Sequence, residues 1–334
     1  MLHVGIIGAG FMGRTHGDAY KKLADVRLAG IASRGQEKAR QFAEDYQCPN
    51  YSQPEELIAH PEIDIIDICL PTHLHEQYVV LAAAHGKHVL CEKPFSLTLE
   101  AADRMIEATR KAGIKFMIAQ VLRFWPEYMK IKELCDQGAP GKINMIYANR
   151  LAQFPNWGDW FQDVEKSGGA LFDLHLHDID YLRYLLGPVR SVYAVGKQDA
   201  NGAWNHVVSI LNFANGARAV AEGSNQMAAG YPFTMSLRAV GEQGTIDFSF
   251  KAGFNLEERA SAANAVVLYR EGQSPEVLDV VQKDGYLHEI EYFMNCVKND
   301  IQPAVVTPEE SREVLQLVLA LKESLESGQV VQIA

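Results

Sequence analysis

Three glycines constrain this chain more than any other feature. An apolar run at residues 2–7 leads into Gly8, Gly10 and Gly13, spaced as G-x-G-x-x-G, and residues 12–23 then read as a helix. A second apolar run at 27–32 completes a strand, turn, helix, strand unit. In that setting each glycine has its own task. Gly8 permits the tight turn, Gly10 lets the backbone approach a pyrophosphate, and Gly13 lets the helix pack close to the strand, while the helix N-terminus offers N–H groups to an anion. The spacing by itself also suits a glycine-rich turn with no ligand. The flanking strands and helix favour a dinucleotide, with Phe11 and Met12 of the loop as further contacts.

The end of the second strand bears on which dinucleotide. Where an NAD site places Asp or Glu against the ribose hydroxyls, this chain has Ser33 and Arg34, with Lys38 and Arg40 on the next helix. A guanidinium suits a 2′-phosphate through bidentate, charge-assisted hydrogen bonds. NADP is therefore preferred and NAD is the other candidate. The competing reading is a solvated basic helix start with NAD held elsewhere.

Strands and helices alternate through residue 120, with further strands at 63–70, 88–91 and 115–120 and helices at 36–46, 74–85 and 99–112. Such alternation predicts a doubly wound parallel sheet of the Rossmann type, covered on both faces, with ligands at the carboxyl ends of the strands. The residues just after the strands therefore matter most: Leu70, Pro71, Thr72, His73 and His75 after one, Glu92, Lys93 and Pro94 after another. Lys93 at a strand end, followed by proline, is a candidate for contacting a substrate oxygen or a developing alkoxide; surface loops are the commoner place for lysine.

Beyond residue 121 the pattern changes. A helix at 126–137 precedes strands at 142–151, 189–197, 205–213, 217–226, 233–240 and 245–250, then helices at 286–298 and 308–327 and a strand at 330–333. Period-two ribbons of this kind imply an α+β domain with a large, mostly antiparallel open sheet. The expected division is α/β residues 1–121 for the dinucleotide and 122–334 for substrate binding and oligomerisation, the last helix and strand packing back toward the first domain. A helix over 170–186 would put Asp173 and His177 one turn apart, so that a carboxylate orients an imidazole as a general base. An N-terminal helix acid beside an exposed histidine is the plainer alternative. His73, His75, His175 and His177 raise a zinc site, but no cysteine or acid spacing completes one and the expected metal is none. Phe124, Trp125, Phe154, Trp157, Trp160 and Phe161 could lie against sugar C–H groups, with Arg123, Asn156 or Arg150 toward hydroxyls; ordinary packing would use aromatics in the same way.

Charge and composition exclude some partners. A net charge of −11, from 31 basic and 42 acidic residues, argues against nucleic acid. Five scattered cysteines with no C-x-x-C read as buried thiols in a reducing compartment. No apolar run approaches the ~20 residues of a membrane span, and the first strand begins at once, so a soluble cytoplasmic protein with no membrane partner is expected.

Taken together, the Gly8-Ala-Gly-Phe-Met-Gly13 loop, Cys91-Glu-Lys-Pro94, Gly168-Gly-Ala-Leu-Phe-Asp173 with His177 and Asp180, and Gly241-Glu-Gln-Gly244 resemble the Gfo/Idh/MocA family over nearly the whole chain. The resemblance implies an NAD(P)-dependent dehydrogenase that moves a hydride between nicotinamide and a secondary hydroxyl of a sugar, polyol or cyclitol. It matches Lys93 to the lysine on the reacting oxygen, Asp173 to an acid that holds substrate and His177 to the base. It places Leu70, Pro71, Thr72, His75, Glu92 and Lys93 among the cofactor contacts; Arg123, Asn156, Trp157 and Trp160 are candidates toward substrate by their side-chain chemistry. Some relatives are internal-redox NAD-dependent glycosidases or nucleotide-binding regulators without turnover, which are the alternatives. A homodimer or homotetramer is implied by the same resemblance.

Overall fold

The computed structural model describes residues 1–155, 159–252 and 265–333. Two compact units emerge, Met1–Phe124 with Lys283–Leu315, and Trp125–Gln282 with the stretch from Gln316.

In the first unit the order is β1 (Leu2–Ile7), α1 (Phe11–Tyr20), β2 (Val26–Ala32), α2 (Gln36–Tyr46), β3 (Asn50–Tyr51), α3 (Pro54–Ala59), β4 (Ile65–Ile68), α4 (His75–Ala84), β5 (His88–Glu92), α5 (Leu99–Ala112) and β6 (Phe116–Ala119). All strand pairs are parallel, in the order β3-β2-β1-β4-β5-β6. Strand order reverses between β1 and β4, and ligands of such sheets bind outside the strand ends at that point. Both β4 and β6 are buried at every residue, as expected for strands covered on two faces.

In the second unit come α6 (Pro126–Asp136), β7 (Ile143–Leu151), α7 (Val164–Ser167), α8 (Leu176–Leu186), β8 (Val189–Gln198), β9 (Trp204–Phe213), β10 (Arg218–Ser224), β11 (Thr234–Gly241), β12 (Thr245–Lys251), β13 (Ala265–Tyr269) and β14 (Glu276–Leu278). The chain ends with α9 (Gly285–Lys298), α10 (Pro308–Ser327) and β15 (Val331–Gln332). The nine-stranded sheet runs β14-β13-β12-β11-β7-β10-β9-β8-β15, with only β10 and β7 parallel. Period-two burial along β7, β9 and β12 gives it one covered face. There Tyr128 packs edge-on against Tyr181 at 4.7 Å and Phe248 at 5.4 Å, and the Tyr181 hydroxyl donates to the Tyr128 carbonyl at 2.6 Å. The opposite face carries partly exposed Tyr147, Val195, Ile210 and Tyr269.

The division departs from the one expected at residue 121. It is α9, not the last strand, that belongs with the first unit: Ile290, Phe293 and Met294 enter the cluster built by Val4, Ile6, Tyr20, Leu28 and Met117. Strand β15 instead extends the second sheet beside β8.

Arg123 also departs from expectation. Its side chain has no exposed surface, and its Nη1 donates to the Val305 carbonyl and to Glu310 Oε2, both at 2.7 Å. The guanidinium therefore holds the returning segment in the first unit instead of standing open to substrate hydroxyls. Arg123→Ala removes the buried donor shared by the Val305 carbonyl and half-buried Glu310, and should lower the urea-derived unfolding free energy by about 2 kcal/mol. A loss under about 1 kcal/mol would mean the pair behaves as a surface contact.

Candidate active site

The glycine loop has the geometry its spacing implies. Gly8 has φ +116, and a Cβ there would lie 2.2 Å from the Cys69 carbonyl oxygen. A Cβ on Gly13 would lie 1.9 Å from the Gly8 oxygen, so helix and strand can meet only with glycine at that position. Gly10 differs: it is extended, and a Cβ would meet nothing within 4 Å. It stands at the start of α1, which has no side-chain cap and no acidic residue in its first turn. A helix start so arranged suits a pyrophosphate, which brings its own negative charge to the N–H groups and needs room above the second glycine. Phe11 and Met12 open α1 and are half-buried.

Ser33 and Arg34 follow β2 directly, Ser33 half-buried and Arg34 exposed, and Gln36 Nε2 donates to the Ser33 carbonyl at 3.2 Å. Beyond β4, Leu70 and Pro71 are half-buried and Thr72 is buried. His75 has no exposed surface, and its ring nitrogens face the Pro94 carbonyl at 2.9 Å and the Leu70 carbonyl at 2.8 Å. Its ring thus ties the β4 end to the cis Lys93–Pro94 peptide. Burial holds the ring below the usual imidazole range, the carbonyl contacts opposing it. Lys93 is half-buried after β5, and Glu92 is buried with its Oε2 accepting the Lys93 N–H at 3.1 Å.

Beneath these loops is a buried charged cluster that the sequence reading missed. His16 of α1 donates from Nδ1 to Asp67 Oδ2 at 2.8 Å, and the Tyr20 hydroxyl donates to the same oxygen at 2.9 Å. His16 Nε2 lies 3.1 Å from Glu92 Oε1, close enough for an ion pair though not aligned as a hydrogen bond. Burial disfavours charge on His16, but Asp67 outweighs it, with help from Cys69, and holds the ring well above the usual range. Cys69 Sγ sits 3.5 Å from His16 Nδ1, yet burial and Asp67 push its thiol far up, which favours the neutral thiol. His16, Asp67 and Cys69 place ligand-type atoms within 4.8 Å of one another. The 2.8 Å between nitrogen and carboxylate oxygen is that of a shared proton; tetrahedral zinc would spread such ligands to about 3.3 Å. The only signal in the sequence was an aspartate inside the run Ile65-Ile66-Asp67-Ile68.

In the second unit, the helix expected over 170–186 is interrupted. A π-helical turn, Leu171–His175, carries Asp173, and α8 begins at Leu176, so His177 lies in its first turn. Both side chains are half-buried. A π-turn widens the helix and re-aims its residues, and such turns recur at functional sites. His175 is wholly buried, with Nε2 2.7 Å from Ser209 Oγ. Gly223 makes room for this ring, since a Cβ there would lie 2.6 Å from His175 Nδ1. Arg150, offered to substrate by the sequence, is instead buried against Asp178, with Nε to Oδ2 at 3.0 Å. His75 spends both ring nitrogens on backbone carbonyls and His175 spends Nε2 on Ser209, so these three nitrogens are already engaged within their own units. Trp160 is half-buried and edge-on to Phe161 at 5.6 Å, whereas Phe124 and Trp125 are core residues. Asn156 and Trp157 lie outside the described residues.

Two family models match the chain: an oxidoreductase family with an NAD-binding Rossmann fold over residues 2–120, and the GFO/IDH/MocA C-terminal domain over 128–247. The chain belongs to the Gfo/Idh/MocA family. It is an oxidoreductase with an NAD-binding Rossmann domain. Among similar proteins are a myo-inositol 2-dehydrogenase of Thermotoga maritima, 29% identical over 99% of this chain and 98% of the relative, and a levoglucosan dehydrogenase of Pseudarthrobacter phenanthrenivorans, 31% identical over 77% and 75%. Among solved structures, a probable dehydrogenase from Thermotoga maritima is 30% identical, covers 99% of this chain and 98% of that one, and has a TM-score of 0.83. Levoglucosan dehydrogenase in complex with NADH is 25% identical, covers 100% and 99%, and has a TM-score of 0.87.

His175 supplies a test by pH. Burial, with the nearby Arg150 charge adding, drops its pKa to about 3, against 6.5 as the ordinary value. A histidine kept neutral in the fold stabilises above the unfolded-state value, and that contribution is lost as pH falls from 6.5 toward 3. Between pH 6.5 and about pH 4.5 the loss from this group is about 2 kcal/mol. Urea unfolding at both pH values should show His175→Gln less acid-sensitive than wild type by that amount; an equal acid sensitivity would contradict the burial.

Proposed function

We propose that this protein transfers a hydride between a nicotinamide dinucleotide, preferably NADP, and a secondary hydroxyl or ketone of a sugar, polyol or cyclitol. The observation that carries the proposal is the start of α1: three glycines with distinct tasks, open space above Gly10, and a helix N-terminus clear of side-chain caps and acids. The sugar and inositol dehydrogenases among the relatives support the substrate class.

In this reading the nicotinamide, when bound, accepts or gives the hydride, and the protein manages the proton. Lys93 binds the reacting oxygen and its ammonium stabilises developing negative charge. His177 takes the hydroxyl proton in oxidation and returns it in reduction, a role that contributes ~10²–10⁴ in rate. Asp173 holds a substrate hydroxyl near the reacting carbon, and Trp160, with Asn156 and Trp157, offers further contacts to it. His75 serves the cofactor side by fixing the two loops it ties. Ser33 and Arg34 receive a 2′-phosphate, for which the exposed guanidinium after β2 is suited.

The partly exposed Tyr147, Val195, Ile210 and Tyr269 on one sheet face suit burial against a second copy, so a homodimer or homotetramer belongs to the same reading. No described helix is long and apolar enough to cross a membrane, and the five cysteines are unbridged, which supports a reducing cytoplasmic setting.

Kinetics on a panel of polyols, cyclitols and sugars test the assignment. Lys93→Ala and His177→Ala should each lower kcat by at least about a hundredfold, with NADPH affinity near wild type in His177→Ala. Turnover at the wild-type rate in either variant removes that residue from the mechanism. Arg34→Ala should weaken NADPH by about tenfold or more and leave NADH nearly unchanged; equal effects on both would refute the phosphate role.

A further inference from the structure

Within the first unit one hydrogen-bonded and ion-paired chain runs from the glycine-loop helix to Lys93. The Tyr20 hydroxyl and His16 Nδ1 both donate to Asp67 Oδ2, His16 Nε2 faces Glu92 Oε1 at 3.1 Å, and Glu92 Oε2 accepts the Lys93 N–H. Three of the members, His16, Asp67 and Tyr20, are at most 1% exposed, and Glu92 is 5% exposed. The chain crosses three elements: α1, whose start Gly10 caps, β4, and the end of β5. Two carboxylates buried this close would repel each other without a cation between them, and His16 is the group that stands there. From α9, the Tyr286 ring centroid lies 6.2 Å from that of His16, and fully buried Glu289 is near enough for its charge to act on Tyr20 and Tyr286.

We propose that His16 is a positioning residue: as an imidazolium between Asp67 and Glu92 it fixes the Glu92 carboxylate and, through it, the backbone from which Lys93 projects. The glycine-loop helix and the Lys93 strand end are then one preformed unit, so the pieces assigned to pyrophosphate and to the reacting oxygen keep their spacing before any ligand arrives. Preorganisation of this kind raises affinity by sparing the cost of ordering on binding. The consequence for cofactor binding rests on the dinucleotide reading given above, whereas the state of the ring does not.

The test is a double-mutant cycle on the full-length protein, with NADPH and NADH as probes followed by nicotinamide fluorescence. His16→Gln and Glu92→Gln should each weaken the preferred nucleotide by about tenfold, and the double variant should be no weaker than the worse single one, because the two act through one contact. Losses that multiply in the double variant, or an unchanged affinity in Glu92→Gln, would overturn the proposal. Side-chain 15N spectra of histidine-labelled wild type give a second readout that a merely packed ring would not move. The His16 ring should show both nitrogens protonated throughout the neutral range, with the Nε2 proton losing protection from exchange in Glu92→Gln. A neutral ring would overturn the proposal even if His16→Gln failed to fold. Wild type that bound neither nucleotide would instead refute the dinucleotide reading, and the nitrogen spectrum would still decide for or against the His16 link.

Discussion

Everything in the first unit depends on how closely α1 approaches β1. The clearance between Gly13 and the Gly8 carbonyl is too small for any Cβ, and Gly8 itself lies in a conformation that side chains avoid. Close packing there aims the start of α1 past the strand ends at the point where sheet order reverses. The same approach carries His16, two turns along the helix, over β4 and β5, where Asp67 and Glu92 lie in wait as buried acids. One backbone constraint thus positions both an anion-binding helix start and the polar cluster beneath it.

The two units treat buried charge in different ways. In the first, a cationic imidazole stands between two acids, and the members reach loops that follow the strands. In the second, Arg150 and Asp178 pair directly under the sheet, burial raising the Asp178 carboxyl while Arg150 opposes it. Asp178 follows His177 directly in the chain and the Arg150 charge acts on buried His175, so the pair ties the first turn of α8 to β7. Rigid support is what a proton-transferring side chain needs, since catalytic geometry tolerates little play.

Much of this was legible in the sequence where the signal is local. The glycine loop could be read because its requirements are those of backbone geometry, and α2, α5 and α10 fall at the expected residues because amphipathic period and end signals coincide. The losses are all non-local or short. Arg123 read as a loop arginine open to ligand, since Glu310, its partner, is 187 residues away. The return of α9 to the first unit depends on a core made by strands that all lie before residue 120. Strands β3 and β14, of two and three residues, are too short to show a period, and the π-turn at 171–175 has no glycine or proline to announce it. Asp67 stands out as an acid in an apolar strand, but nothing in the sequence names its partner His16, which only the fold brings within 2.8 Å.

The open space at Gly10 is the proposed place where a dinucleotide meets the protein. Titrating wild type and Gly10→Ala with NADPH and NADH, alongside urea unfolding of each, tests it most directly. A Cβ at Gly10 touches nothing within 4 Å, so the account predicts a stability within about 1 kcal/mol of wild type together with nucleotide affinity reduced by about tenfold or more. Full affinity in Gly10→Ala, or a wild-type protein that binds neither nucleotide, would contradict it.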